Sequence, residues 1–223
     1  FAYAWRSLPI RLLLVLLAAV SLLATPYMTL MPVLVREVYG GGGNDMGFLV
    51  GAGGLGGVLG TLSLAARRNV RSPVGVTACA SSAAGAALAA LSWSGGVWAA
   101  MALLTVVGFG ILVTSVSVNM ILQTIVDEDK RGRVMSLYTA AFLGMSPIGA
   151  IAAGAAADVI GVAATLTAGG IATALAALYL EQKRAVLKAH LDRHSPIGLR
   201  SPAAASGLHG RDPGRAAGLP LSR

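Results

Sequence analysis

Residues 72–126 read SPVGVTACASSAAGAALAALSWSGGVWAAMALLTVVGFGILVTSVSVNMILQTIV, without a single Asp, Glu, Lys or Arg. One crossing of a bilayer's hydrocarbon core takes about 20 apolar residues. This run is long enough for two, and Ser94-Gly95-Gly96 stands where the chain must reverse. On either side, Leu12 to Val35, Met46 to Ala66, Val134 to Ala157 and Val159 to Leu180 are equally free of charge, each the length of one crossing. The count is six spans.

Composition agrees. Charged residues make up 12% of the 223, about half the usual share of a soluble domain. The segments are apolar all round, so no solvated face is left for a soluble helix. Period-2 alternation is missing, and Ala and Leu outnumber β-branched residues, which argues against a barrel. A backbone in lipid must pair its own polar groups, so helices remain. The first apolar run is too long for a signal peptide and continues into Pro32 and Arg36. The expected fold is all-α: a polytopic membrane bundle of six transmembrane helices over residues 1–182. The basic tail 183–223 is rich in Pro, Gly, Ser and Arg and is expected to be largely disordered.

Arg6 and Arg11 precede span one. Arg67, Arg68 and Arg71 separate spans two and three, Lys130, Arg131 and Arg133 separate four and five, and Lys183 and Arg184 follow six. The alternate loops hold only Arg36. The positive-inside rule therefore puts both ends of the chain in the cytoplasm. Trp93 and Trp98 flank the outer reversal, with Trp5 and Tyr179 near the inner face. The tail after Glu181 carries eight of the 17 basic residues. The net charge of +8 thus serves orientation and contact with membrane lipids, and no nucleic-acid partner is expected. Cys79 lies alone in mid-span and says nothing about redox compartment.

Span one contains Pro26 and Pro32, each of which removes a donor and crowds the preceding turn, so its outer half should kink or break. In span two, Gly53 with Gly57 and Gly56 with Gly60 form overlapping small-xxx-small pairs, suited to close helix approach. Such faces serve static packing, and smooth surfaces also permit sliding. Spans three and six, mostly Ala, Leu, Val and Gly, suit supporting positions.

No motif for covalent, metal or cofactor chemistry is present, and the three histidines all lie in the tail. An enzyme is not expected. Polar residues inside membranes are costly and become candidates by default. Ser115, Asn119 and Gln123 follow each other at i, i+4 on one face of span four. Met135, Tyr138, Phe142 and Met145 make a second stripe on span five. Facing a cavity, these stripes offer a small-molecule substrate amide hydrogen bonds and adaptable apolar surface. An interhelical hydrogen bond explains Asn119 and Gln123 equally well, and plain packing explains the Met and aromatic stripe better. No Asp, Glu, Lys or Arg lies deep in any span, so either a proton-coupling group lies elsewhere or transport is not proton-driven. Between spans four and five, Asp127-Glu128-Asp129-Lys130-Arg131-Gly132-Arg133 sets three acids against three bases. The acids can cap span five, and Asp127, Asp129, Arg131 and Arg133 together can form a gate or latch.

Asn119-x-x-x-Gln123, then Asp127 to Arg133 and Val134-Met135-Ser136-Leu137-Tyr138, resembles the major facilitator superfamily, and most of all the bacterial enterobactin-exporter-like subgroup. Gly144-Met145-Ser146-Pro147-Ile148-Gly149, with Gly154 and Asp158, is similar to that subgroup's eleventh helix. Pro26-Tyr27 and Leu30-Met31-Pro32 are similar to its seventh. The resemblance runs through residues 1 to 182. It implies helices seven to twelve of a twelve-helix carrier in a bacterial inner (plasma) membrane, with a midplane site between two halves. A chain beginning at Phe1 fits a fragment whose partner is a missing N-terminal six-helix half. Spans one, two, four and five would then face the cavity, and Pro26, Pro32, Gly144, Pro147 and Gly149 would let helices flex. The basic loop after span two lacks the superfamily's usual Asp. The function implied is secondary active export of siderophore-like or drug-like molecules by alternating access. A membrane anchor or assembly subunit is the competing reading.

Overall fold

The computed structural model describes residues 2–66 and 73–183. Arg67, Arg68 and Arg71, the side chain of Arg6, and the tail from Arg184 onward lie outside the described residues. With them lies the expectation of a disordered tail. The described residues are helical, joined by short turns. The short α1 (Ala2–Arg6) leads into α2 (Leu8–Leu23) and α3 (Tyr27–Glu37), which together make span one. Then come α4 (Gly43–Ala66), α5 (Pro73–Leu91) and α6 (Val97–Ile125) as spans two to four. Span five is α7 (Glu128–Thr139), a π-helical turn (Ala140–Gly144) and α8 (Met145–Ile160). Span six is α9 (Val162–Gln182). The chain is a multi-pass membrane protein, and its described residues hold six helices long and apolar enough to cross.

Of Pro26 and Pro32, only Pro26 breaks span one. At the end of α2 the Val20 carbonyl accepts from both Ala24 N–H (2.9 Å) and Thr25 N–H (3.2 Å). Pro26 has no N–H to continue the ladder, and α3 restarts through tight bonds from Tyr27 to Ala24 and from Met28 to Thr25, both 3.3 Å. Pro32 sits inside the continuous helix α3. The last reversal falls at Gly161, whose φ of +83° suits glycine. Asp158 therefore lies in the last turn of α8 rather than in a loop.

Without a hydrophobic drive between helices in lipid, close packing must supply the association, and glycines supply the closeness. Along the α4–α6 seam, a methyl group on Gly108 would run into the Gly53 carbonyl, and one on Gly56 into that of Thr105. Gly60 meets Phe109 on the same seam. Span two's glycine face thus has its partner in the middle of span four. A second seam joins α5 to α9, where Gly85 and Gly170 abut each other's backbone. The α5–α6 contact is closed by Gly110 against Ala80 and by a buried Ser81–Thr114 hydroxyl bond of 2.8 Å. Span five is joined more sparingly, by Gly149 under the Leu22 carbonyl at the broken end of α2 and by the Ser21 hydroxyl donating to the Phe142 carbonyl.

Parity places the α6–α7 loop and the N-terminus at one end of the bundle, and the α3–α4 and α5–α6 loops at the other. Each end is tied by a tyrosine. At the far end, Tyr39 OH donates to the Leu91 carbonyl (2.7 Å) and lies 2.6 Å from Ser94 Oγ. Burial raises its pKa, with the Ser94 bond opposing. At the near end, Tyr3 OH donates to Asp127 Oδ2 (3.1 Å).

Candidate functional site

The break in span one opens a cleft of about 450 Å³. Its walls are Thr25 and Tyr27 at the break, the glycine face of α4 at Gly53 and Gly57, Ile111 of α6 and Phe142 of the π turn. Spans one, two, four and five all contribute. The glycines leave room that any side chain would fill, so the packing seam and the cleft are two uses of one α4 surface. The lining carries no Asp, Glu, His, Lys or Arg.

Two polar groups in this cleft were not singled out by the spacing of residues. Thr25 Oγ1 is buried without a hydrogen-bond partner. Tyr27 is 5% exposed, and its hydroxyl, which faces Gly53, makes no hydrogen bond among the described residues. Their signal in the sequence was their position around Pro26, where a helix restart turns side chains that a continuous ladder would have aligned differently.

The stripe on span four divides. Ser115 Oγ lies 2.7 Å from Tyr138 OH, and that hydroxyl also reaches the Ser115 carbonyl at 3.2 Å. Tyr138 stacks on Phe142, with ring centroids 6.3 Å apart. Ser115, Tyr138 and Phe142 therefore form one column leading into the cleft. Asn119 and Gln123 stand one and two turns further along α6. Gln123 Nε2 donates to Asn119 Oδ1 within that helix, so the pair does not bridge to another helix. Gln123 is exposed and Asn119 half-buried.

The stripe on span five does not stay on one face. Phe142 lines the cleft, whereas Met145 lines a separate groove against α2. A π turn takes more residues than an α turn, so positions beyond Ala140–Gly144 lag behind the regular three-and-four register. Gly149 packs against α2, while Gly144 meets nothing within 4 Å; Pro147 is exposed.

In the loop, Asp127 occupies the N-cap position of α7 but makes no side-chain cap bond. Its carboxylate accepts from Tyr3 OH and from Lys130 Nζ at 3.4 Å, and Lys130 also pairs with Asp129 at 3.7 Å. The ammonium rests 4.6 Å from the Tyr3 ring centroid. Burial, then the bond to the Asp127 carboxylate, raises the Tyr3 pKa. Arg131 and Arg133 are exposed and make no ion pair among the described residues. The contacts that the described residues make in this loop join Tyr3, Asp127, Asp129 and Lys130.

No group of His, Cys, Asp and Glu suited to a metal ion occurs among the described residues. No curated protein and no solved structure matches the chain. The family of transmembrane secretion effectors does match, over residues 1–208, nearly the whole sequence. With six apolar spans and a cleft at the broken first one, the chain belongs to that family of the major facilitator superfamily, whose members are membrane transporters.

Proposed function

We propose that the chain is one six-helix half of a secondary exporter of small organic molecules. In this reading the cleft at the span-one break is its share of the substrate path. The observation that carries the reading is the cleft itself: four spans converge on it, and the Tyr27 hydroxyl, which faces its glycine wall, makes no hydrogen bond among the described residues. A ligand that met it would gain a bond the folded chain leaves unmade. Substrate contacts would be mainly apolar and aromatic, with Ser115, Tyr138 and Phe142 continuing the path and Asn119 and Gln123 nearer its mouth.

Span five supports a second half as partner. Only 6% of its apolar window is buried, so its free face needs lipid or another helix bundle. Alternating access would rock the two halves about the shared site. The near-end cluster of Tyr3, Asp127 and Lys130 would be remade at each cycle, as weak exposed pairs can be. The positive-inside rule supports a cytoplasmic placement of that end, and the family resemblance supports a bacterial inner membrane.

The test is efflux of a panel of siderophore-like and lipophilic dye substrates by the intact protein in everted vesicles. Val58 lines the cleft and is 55% exposed, so Val58→Trp fills the cleft without touching the core. Efflux of at least one compound should fall about tenfold or more, the cost of losing a few contacts made with the substrate. Unchanged efflux of every transported compound removes the cleft from the path.

A further inference from the structure

A second cavity lies away from the cleft, at the near end of the bundle. It is a groove of about 300 Å³ between the α1–α2 corner and span five. Trp5, Arg11, Val15 and Ala18 form one wall, and Ala141 and Met145 belong to the other. It exists because alanines stand where larger residues would close the helices. Its walls are apolar apart from the indole N–H of Trp5 and a single charged side chain, Arg11. Arg11 makes no ion pair and no side-chain hydrogen bond among the described residues. It sits in the first turn of span one, at the membrane boundary, beside Trp5, which is 60% exposed as interfacial tryptophans are. Val15, one turn deeper, is 51% exposed, so the groove opens outward along its length.

We propose that this groove is a binding site for an anionic phospholipid, with the phosphate on Arg11 and an acyl chain lying along Val15, Ala18, Ala141 and Met145. The charge match favours lipid over another helix. A guanidinium at the boundary attracts phosphate strongly and in bidentate fashion, and basic pockets between transmembrane helices hold anionic headgroups. A neutral apolar helix laid in the groove would leave the Arg11 charge unmatched. Met145 adapts to an irregular chain at low cost. The site rests on membrane embedding alone and stands whether or not the chain transports.

Trp5 reports on the groove. The full chain carrying Trp93→Phe and Trp98→Phe, both remote and exposed, keeps Trp5 as its only tryptophan. It is reconstituted in phosphatidylcholine vesicles doped with a minor fraction of phosphatidylglycerol brominated on its acyl chains. A parallel set carries the same fraction of brominated phosphatidylcholine. One matched cation near the surface enriches the anionic lipid about fivefold, so quenching by brominated phosphatidylglycerol should exceed its counterpart accordingly. Arg11→Gln should bring the ratio to one, and Arg11→Lys should keep part of it. Ala141→Phe, which fills the groove with Arg11 intact, should abolish the excess. Equal quenching by the two lipids in the parent chain overturns the proposal, as does no quenching by either, which means protein fills the groove. An excess that survives Ala141→Phe makes the attraction a surface effect and also overturns it. Excess soluble glycerol phosphate should leave the ratio unchanged; a ratio that collapses makes this a simple anion site, and the lipid assignment fails.

Discussion

Spans four and five are neighbours in sequence and both apolar enough to cross, yet half of the apolar window of one is buried and only 6% of the other's. Hydropathy does not account for the difference, because lipid and a packed helix are equally apolar surroundings. The difference lies in where glycine stands. Gly108 and Gly110 of α6 meet glycine or alanine backbones of α4 and α5 at touching distance. In span five, Gly144 and Gly154 meet nothing within 4 Å. Span four is the pillar of the bundle. Span five hangs on Gly149, on the Ser21 bond to the π turn and on the Ser115–Tyr138 pair. Its exposed face and irregular turn make it the part that can shift without unpacking the rest.

The largest expected effect breaks the pillar. Gly108→Ala puts a methyl group into the Gly53 carbonyl and should cost about 1–3 kcal/mol, the range for overpacking. Gly154→Ala at an open position should instead stabilise by about 0.5–1 kcal/mol, the helix advantage of Ala over Gly. Denaturation midpoints in mixed detergent decide between them. Equal shifts for the two variants would mean that span five is as tightly packed as span four, and the comparison falls.

A middle-sized effect tests the hinge between them. In a double-mutant cycle of Ser115→Ala and Tyr138→Phe, the coupling should come out near 0.6 kcal/mol and not above about 1.7, the range for hydrogen bonds between membrane helices. Zero coupling would leave span five held by Gly149 and Ser21 alone. A larger value would make the column of Ser115, Tyr138 and Phe142 a structural strut rather than a wall of the path.

The six spans were legible because charge and apolar residues segregate so completely along this chain. The break at Pro26 was legible because proline removes a specific bond. Span two's glycine pairs announced a close contact, but their partners at Thr105, Gly108 and Phe109 lie far along the chain, and no local spacing names them. The site was legible in pieces. Ser115, Tyr138 and Phe142 do come together, while Asn119 and Gln123 bond to each other and Met145 turns to another groove. The stripe on span five assumed a regular period, and the π turn carries no proline or charge to give it away. Thr25 and Tyr27 were hidden for the opposite reason. An isolated hydroxyl in an apolar run reads as packing until a broken helix leaves it without a partner among the described residues.

The smallest effect lies at the near end, where the N-terminal helix touches the loop joining the two spans. Burial and the Asp127 carboxylate both favour the protonated Tyr3 phenol in the folded chain, so its pKa is raised above the ordinary 10.0. A raised pKa means that the folded state holds this proton more tightly than the unfolded one. The contact's contribution is therefore fully present below pH about 10 and is lost as pH climbs through the folded pKa. An ultraviolet difference titration of the parent chain against Tyr3→Phe should isolate one phenol with a midpoint above 10. Little stability rides on it, because the pair is exposed and exposed polar pairs are worth at most about 1 kcal/mol. A midpoint at or below the ordinary value would show that Tyr3 does not hold Asp127 in solution. The α6–α7 loop would then be free of the N-terminal helix, and span five would be looser at this end than its contacts indicate.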